Sequence, residues 1–164
     1  MQCGSRGIPP GRRGFLFAGT KMFDRLVKDI MDTERGRSLA PDVSVTAAAQ
    51  IMAQGKFGAV LVVEGDTLLG IFTERDALFR VIATGKDPSS TTLVQVMTPD
   101  PRTVSPDDTY GYALVLMQEG GFRHAPVVAD GKPVGVLSSR NAMDPELEDF
   151  VAEASRRVHL AKGR

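Results

Sequence analysis

A chain of 164 residues has room for one compact domain or two very small ones. Apolar residues make up 42% and charged residues 24%, and the 20 basic residues balance the 20 acidic ones, so no overall positive field favours nonspecific nucleic-acid binding. The one cysteine, Cys3, excludes an internal disulfide and fits a reducing, cytoplasmic compartment; no apolar run approaches the roughly 18 residues that a membrane helix needs.

Residues 1–21, MQCGSRGIPPGRRGFLFAGTK, are rich in Gly, Pro and Arg. Their apolar stretch, Phe15 to Ala18, is too short for a signal peptide. The segment reads as a disordered leader, or as vector or upstream sequence, ahead of Met22. From Pro41, PDVSVTAAAQIMAQG opens on turn and cap residues and continues as an Ala-rich helix that Gly55 stops. Val45, Ala48, Ile51 and Met52 supply its apolar face. AVLVV, Ala59 to Val63, is a continuous apolar run, as expected of a strand buried on both faces. A turn, EGD, leads into a second strand, TLLGIF. TERDALFRVIATG then reads as a helix ending at Gly85, and KDPSSTT as a joint.

The order then repeats. PDDTYGYALVLMQEGG is a helix stopping at Gly120, weakened at its start by Gly111, which costs about 1 kcal/mol relative to Ala. APVV, the turn ADGK and KPVGVL follow; Pro145 shortens the last helix of this copy, and PELEDFVAEASRRV closes the chain as a further helical segment. Residues 41–77 lie over 106–142 at a shift of 65 with no gap, and 11 positions are identical, among them Gly70 with Gly135 and Arg75 with Arg140. A duplicated unit of about 60 residues is marginal alone, so the copies are expected to bury their sheet faces against each other. The expected fold class is α/β (α+β), with residues 22–87 as the first repeat, 88–145 as the second and 146–164 as a C-terminal helical tail.

Each copy carries one phrase at its strand-to-helix corner: GIFTERD, Gly70 to Asp76, and GVLSSRN, Gly135 to Asn141. In the first, Gly70 allows close backbone approach within the strand. Thr73 falls at an N-cap, beside the unpaired N–H groups of a helix start, which suits phosphate. Asp76 in the first turn can accept two hydrogen bonds from a vicinal diol, as acidic residues do with ribose in dinucleotide folds. On the residues alone, Thr73 as a plain cap and Asp76 as a partner of the helix dipole are the better account of the phrase, since such caps are common.

The ordered set VKDIM, VQVMTPDPRTVSPDD, FRHAPVV and GIFTERD, over residues 26–143, resembles a tandem pair of cystathionine-β-synthase (CBS) domains, a Bateman module. The resemblance implies two repeats related by a pseudo-twofold axis and packed sheet to sheet. It implies clefts for adenosine-containing ligands: AMP first, then ATP, ADP or NAD, with S-adenosylmethionine also in the class. It implies that Thr73 meets phosphate or ribose, that Asp76 holds the ribose hydroxyls, and that Arg123, His124 and Arg140 reach over from the second copy. The adenine would lie against Pro101 to Val104, including Arg102 and Thr103, and the strand near Ile71. Charge-assisted hydrogen bonds from three such cations favour a phosphate.

The mirror cleft would use Ser138 and Asn141 against Gly58, Ala59 and Arg75. Gly58 and Ala59 stand where Arg123 and His124 stand in the other copy, so this cleft is expected to be degenerate, unused or selective for another ligand. No nucleophile with an orienting base, CxxC, HExxH or Walker ending appears, so neither catalysis nor a bound metal is expected. The expected function is a nucleotide-sensing regulatory module acting on a separate protein partner; the resemblance implies a homodimer, in which Leu78, Phe79, Val81 and Ile82 are available to pack, although the same residues fit the core equally. The alternative is a structural dimerisation module with vestigial clefts. Nucleic-acid binding through Arg156, Arg157, Lys162 and Arg164 is disfavoured by the neutral charge.

Overall fold

The computed structural model describes residues 23–33 and 37–140. The expected leader, the last helix of the second copy, Asn141 and the C-terminal tail lie outside the described residues.

Each copy builds the predicted helix, strand, strand core. Helix α1 (Val45–Gly55) starts at Ser44, whose hydroxyl accepts the Ala47 N–H at 3.2 Å. The short helix α3 (Leu93–Val96) follows the joint, in the lead-in to the second copy, and α4 (Tyr110–Gly120) starts at Thr109, which accepts from Tyr112 N–H at 3.3 Å. The residue after each long helix turns left-handed, Lys56 with φ 54° and Gly121 with φ 67°.

The lead-in to the first copy holds two short strands, β1 (Asp32–Thr33) and β2 (Ser38–Leu39). Strands β3 (Ala59–Glu64) and β4 (Thr67–Thr73) form one antiparallel hairpin. After the short β5 (Thr98–Pro99), strands β6 (His124–Ala129) and β7 (Lys132–Ser138) form the other. Both hairpins slip register at the same repeat position, Val62/Val63 and Val127/Val128.

Alternation along β3 sorts its side chains. Val60 and Val62 pack with Ala48 and Met52 of α1, while Ala59 and Leu61 turn toward the second copy, where Val136 meets them and Ile71. All four β3 residues are fully buried, as a strand covered on both faces requires. Ala113 and Met117 of α4 close the outer face of the second copy. The copies are thus packed sheet to sheet.

The lead-in segments are exchanged between copies. The sheets run β2-β3-β4-β5 and β1-β7-β6, so each motif strand pairs with the other copy's lead-in. Val27 packs into the second core with Val104 and Tyr110, and Leu93 and Val96 into the first. The exchange explains the glycine repeated in both phrases. A Cβ at Gly70 would lie 2.5 Å from Met97 Sδ and 2.7 Å from the Thr98 carbonyl oxygen; at Gly135 it would lie 2.5 Å from the Asp32 carbonyl oxygen.

The stretch after β4 departs from a uniform α-helix. Residues Glu74–Asp76 (α2) are α-helical, and Ala77–Ile82 continue as a π-helix. Ala83 N–H bonds the Leu78 carbonyl at 2.9 Å and Lys86 N–H the Val81 carbonyl at 3.0 Å, both five residues back. Val81 is fully buried, whereas Leu78, Phe79 and Ile82 are each more than half exposed. The expected pairing face therefore loses Val81 to the core.

Candidate functional site

Two cavities lie between the copies, one at each strand-to-helix corner. The first, about 470 Å³, is bounded by Ile71 and Thr73 of β4, by Glu74 to Asp76 and Arg80 behind it, and by Thr98 and Asp100 to Arg102 of the exchanged lead-in. Gly120 to His124 of the second copy complete it. Its size is within the usual range for small-molecule sites, about 300–1,000 Å³.

At its corner Thr73 and Asp76 form a reciprocal cap. Asp76 Oδ2 accepts the Thr73 N–H at 2.9 Å and the Thr73 hydroxyl at 2.6 Å, and Thr73 Oγ1 accepts the Asp76 N–H at 3.3 Å. Asp76 Oδ1 faces Arg80 Nε at 3.2 Å. Glu74 N–H is bonded to the Gly58 carbonyl at 3.0 Å. Two N–H groups of the helix start, those of Glu74 and Asp76, are thus already matched. Arg75 Nη1 reaches across to the Gly121 carbonyl at 3.3 Å. Arg102 and Arg123 are exposed and meet no carboxylate among the described residues.

The second cavity, about 560 Å³, gathers Ser138, Ser139 and Arg140 against Asp32, Arg37, Lys56, Phe57 and Gly58. Its apolar side runs between α1 and the π-helix, along Met52, Leu78 and Ile82. Arg37 is held on two sides: an ion pair to Asp32 at 3.0 Å, and the Phe57 ring, whose centroid is 4.4 Å away. At the corner, Ser138 Oγ accepts the Arg140 N–H at 3.2 Å, two residues on, rather than three as in the first copy.

Glu74, Arg123 and His124 line both cavities and form the wall between them. A Cβ on Gly58 would come within 3.3 Å of both the Glu74 carboxylate and the His124 ring, so Gly58 leaves the space in which these two stand. Burial pushes the His124 imidazole below its ordinary value; Glu74 opposes this, and Arg37, Arg140 and Arg123 add to it.

Of the residues expected to hold a ligand, the first cavity brings together Ile71, Thr73, Asp76, Arg102, Arg123 and His124. Thr103 lines neither cavity. Arg140 lines the second, while Arg75, expected at the mirror cleft, lines the first. Each motif arginine directly follows the corner of its own copy and lines the cleft at that corner, within which Arg75 reaches the Gly121 carbonyl of the other copy. The mirror cleft is also not short of cations: Arg37, Lys56 and Arg140 join Arg123 there. Arg37 was legible in principle, since a shift of 65 pairs it with Arg102, four residues upstream of the stretch compared. Arg80 was legible as well, since it stands four residues after Asp76, the spacing of an acid–base pair on one helix face; its bonds to the Val96 and Met97 carbonyls were not.

Among the described residues no group of three or more His, Cys, Asp or Glu could hold a metal ion, and no helix is long and apolar enough to cross a membrane. Residues 27–83 and 93–145 match the family model of the CBS domain. The CBS domain-containing protein CBSCBSPB3 of Arabidopsis thaliana is 34% identical over 99 residues, 60% of this chain and 18% of that protein. The chain spans 13–21% of the length of three such curated relatives. In fold it is similar to a protein with CBS domains from Burkholderia ambifaria MC40-6, with TM-score 0.68, 31% identity and coverage of 76% of this chain and 96% of that one. It is also similar to the CBS domain pair of protein MJ0100, solved in complex with 5′-methylthioadenosine and S-adenosyl-L-methionine, with TM-score 0.64, 25% identity and coverage of 71% and 95%.

Proposed function

The chain belongs to the CBS-domain family as a tandem pair, and from that premise we propose that it is a regulatory module that binds an adenosine nucleotide, AMP before ATP, ADP or NAD, in the first cleft. One observation carries the reading: a buried carboxylate, Asp76, stands beside the exposed cations Arg102 and Arg123 around one cavity. Those cations suit the phosphate, and the carboxylate suits the ribose diol. The adenosine compounds bound by the pair of MJ0100 support the ligand class. Binding acts on a partner through whatever difference in affinity the ligand has for two arrangements of the pair, typically about 1–3 kcal/mol.

Thermal unfolding followed during titration with AMP, ADP, ATP, NAD and S-adenosylmethionine tests this. A ligand at 100 times its dissociation constant adds about 2.7 kcal/mol of stability. No response to any of the five rejects the reading. The alternative, a dimerisation module whose clefts take no ligand, is favoured by the exposed Leu78, Phe79 and Ile82. It predicts that the same unfolding midpoint rises with protein concentration and ignores every nucleotide.

A further inference from the structure

Arg80 touches the carboxylate of the first cleft from behind. Its Nε lies 3.2 Å from Asp76 Oδ1, and its Nη1 donates to the carbonyls of Val96 at 3.0 Å and Met97 at 2.6 Å. Those carbonyls end α3, and the chain runs on from them through β5 to Asp100 and Arg102, a wall of the same cavity. One guanidinium therefore joins the carboxylate to the lead-in that the other copy contributes. Its donors stand in a fixed planar fork, so holding one arm on backbone carbonyls fixes where the other arm meets Asp76.

The two oxygens of Asp76 are divided by this arrangement. Oδ1 faces the arginine, and Oδ2 accepts from Thr73. The Thr73 hydroxyl at Oδ2 occupies the position that a ligand hydroxyl would take in exchange. The repeat shows the same pairing of roles by its loss: 65 residues on, Asp76 becomes Asn141 and Arg80 becomes Pro145, so the copy without the carboxylate has no arginine either.

We infer that Arg80 is a positioning residue for the first cleft, holding Asp76 through Oδ1 so that Oδ2 is presented to the vicinal diol of the ligand, and tying that carboxylate to the Val96–Arg102 wall. This rests on the first cleft being the nucleotide site. It makes Arg80 a determinant of selectivity for a ribose over a 2′-deoxyribose, through the carboxylate it holds.

Calorimetric binding of AMP and 2′-deoxy-AMP to the full chain tests it. The wild type should prefer AMP by about tenfold or more, the worth of one hydrogen bond to a charged group. Arg80→Gln should compress that preference to about threefold or less, with AMP losing more affinity than its deoxy analogue. Arg80→Lys has one ammonium and cannot join the carboxylate to both carbonyls, so it should fall between; it decides the matter if Arg80→Gln does not fold. A preference unchanged in the folded variant, even with both affinities lower, overturns the inference and leaves the nucleotide reading intact. Equal binding of both ligands by the wild type also overturns it. A wild type that binds neither ligand rejects the nucleotide reading, and the role of Arg80 with it.

Discussion

The two clefts are written in the same phrase, yet they offer a ligand different things. In the first, Arg102 and Arg123 stand in solvent while the Asp76 carboxylate is buried at the corner and held by Thr73 and Arg80. In the second, the repeat mate of Arg102, Arg37, is already paired with Asp32 and set over Phe57, leaving its side chain 13% exposed. An anion recruiting Arg37 must compete with that ion pair, whereas Arg102 meets no carboxylate among the described residues. Lys56 and Arg140 keep the second cleft cationic. Duplication thus retained the positive charge on both sides and kept the buried carboxylate on one. The proposed nucleotide site uses both, so cation content alone does not separate the clefts.

Substituting the crossing glycines breaks the comparison most strongly, one side at a time. Gly70→Ala forces a methyl against Met97 and the Thr98 backbone, and Gly135→Ala against the Asp32 backbone. Overpacking of this kind costs about 1–3 kcal/mol, read as a lower denaturant midpoint with an unchanged slope. Gly70→Ala should also displace the lead-in wall of the first cleft and abolish AMP binding. Gly135→Ala should leave AMP affinity close to wild type despite a similar loss of stability. If both variants bind AMP equally well, the first cleft is not the site.

Asp76→Asn gives the first corner the residue of the second. It should weaken AMP about tenfold to a hundredfold, the worth of a hydrogen bond to a charged acceptor, while costing about 1 kcal/mol of stability through the altered cap. Affinity within about twofold of wild type would show that the carboxylate is only a cap.

His124 supplies the smallest effect, one that both clefts share. Its folded-state value is lowered, so its contribution to stability is complete above the ordinary value of 6.5 and is lost as pH falls through the depressed one. An anion bound beside it favours the charged imidazole, so AMP should bind with proton uptake and more tightly as pH falls below 6.5, by less than about tenfold. Calorimetry in buffers of different ionisation enthalpy reads the proton directly. His124→Gln should flatten both profiles, and a wild type whose affinity is flat in pH removes His124 from the ligand's surroundings.

The amino-acid sequence by itself determined the local units. Ser44 and Thr109 start the long helices, Gly55 and Gly120 end them, and the apolar run at Ala59 marks a strand buried on both faces. Those signals are short-range, carried by caps and periodicity within about ten residues, and the duplication made each legible twice. The shift of 65 also held the corner residues Thr73 and Asp76 in view, and the family resemblance the lead-in residue Arg102. Only the tertiary structure decided which copy each lead-in joins, and hence why Gly70 and Gly135 must lack a Cβ. It likewise decided that Arg75 and Arg140 each line the cleft at their own corner, that Arg37 is paired, and that Arg80 ties Asp76 to the Val96 and Met97 carbonyls. Each of these depends on contacts between segments distant in the chain, which leave no periodic mark in the order of residues.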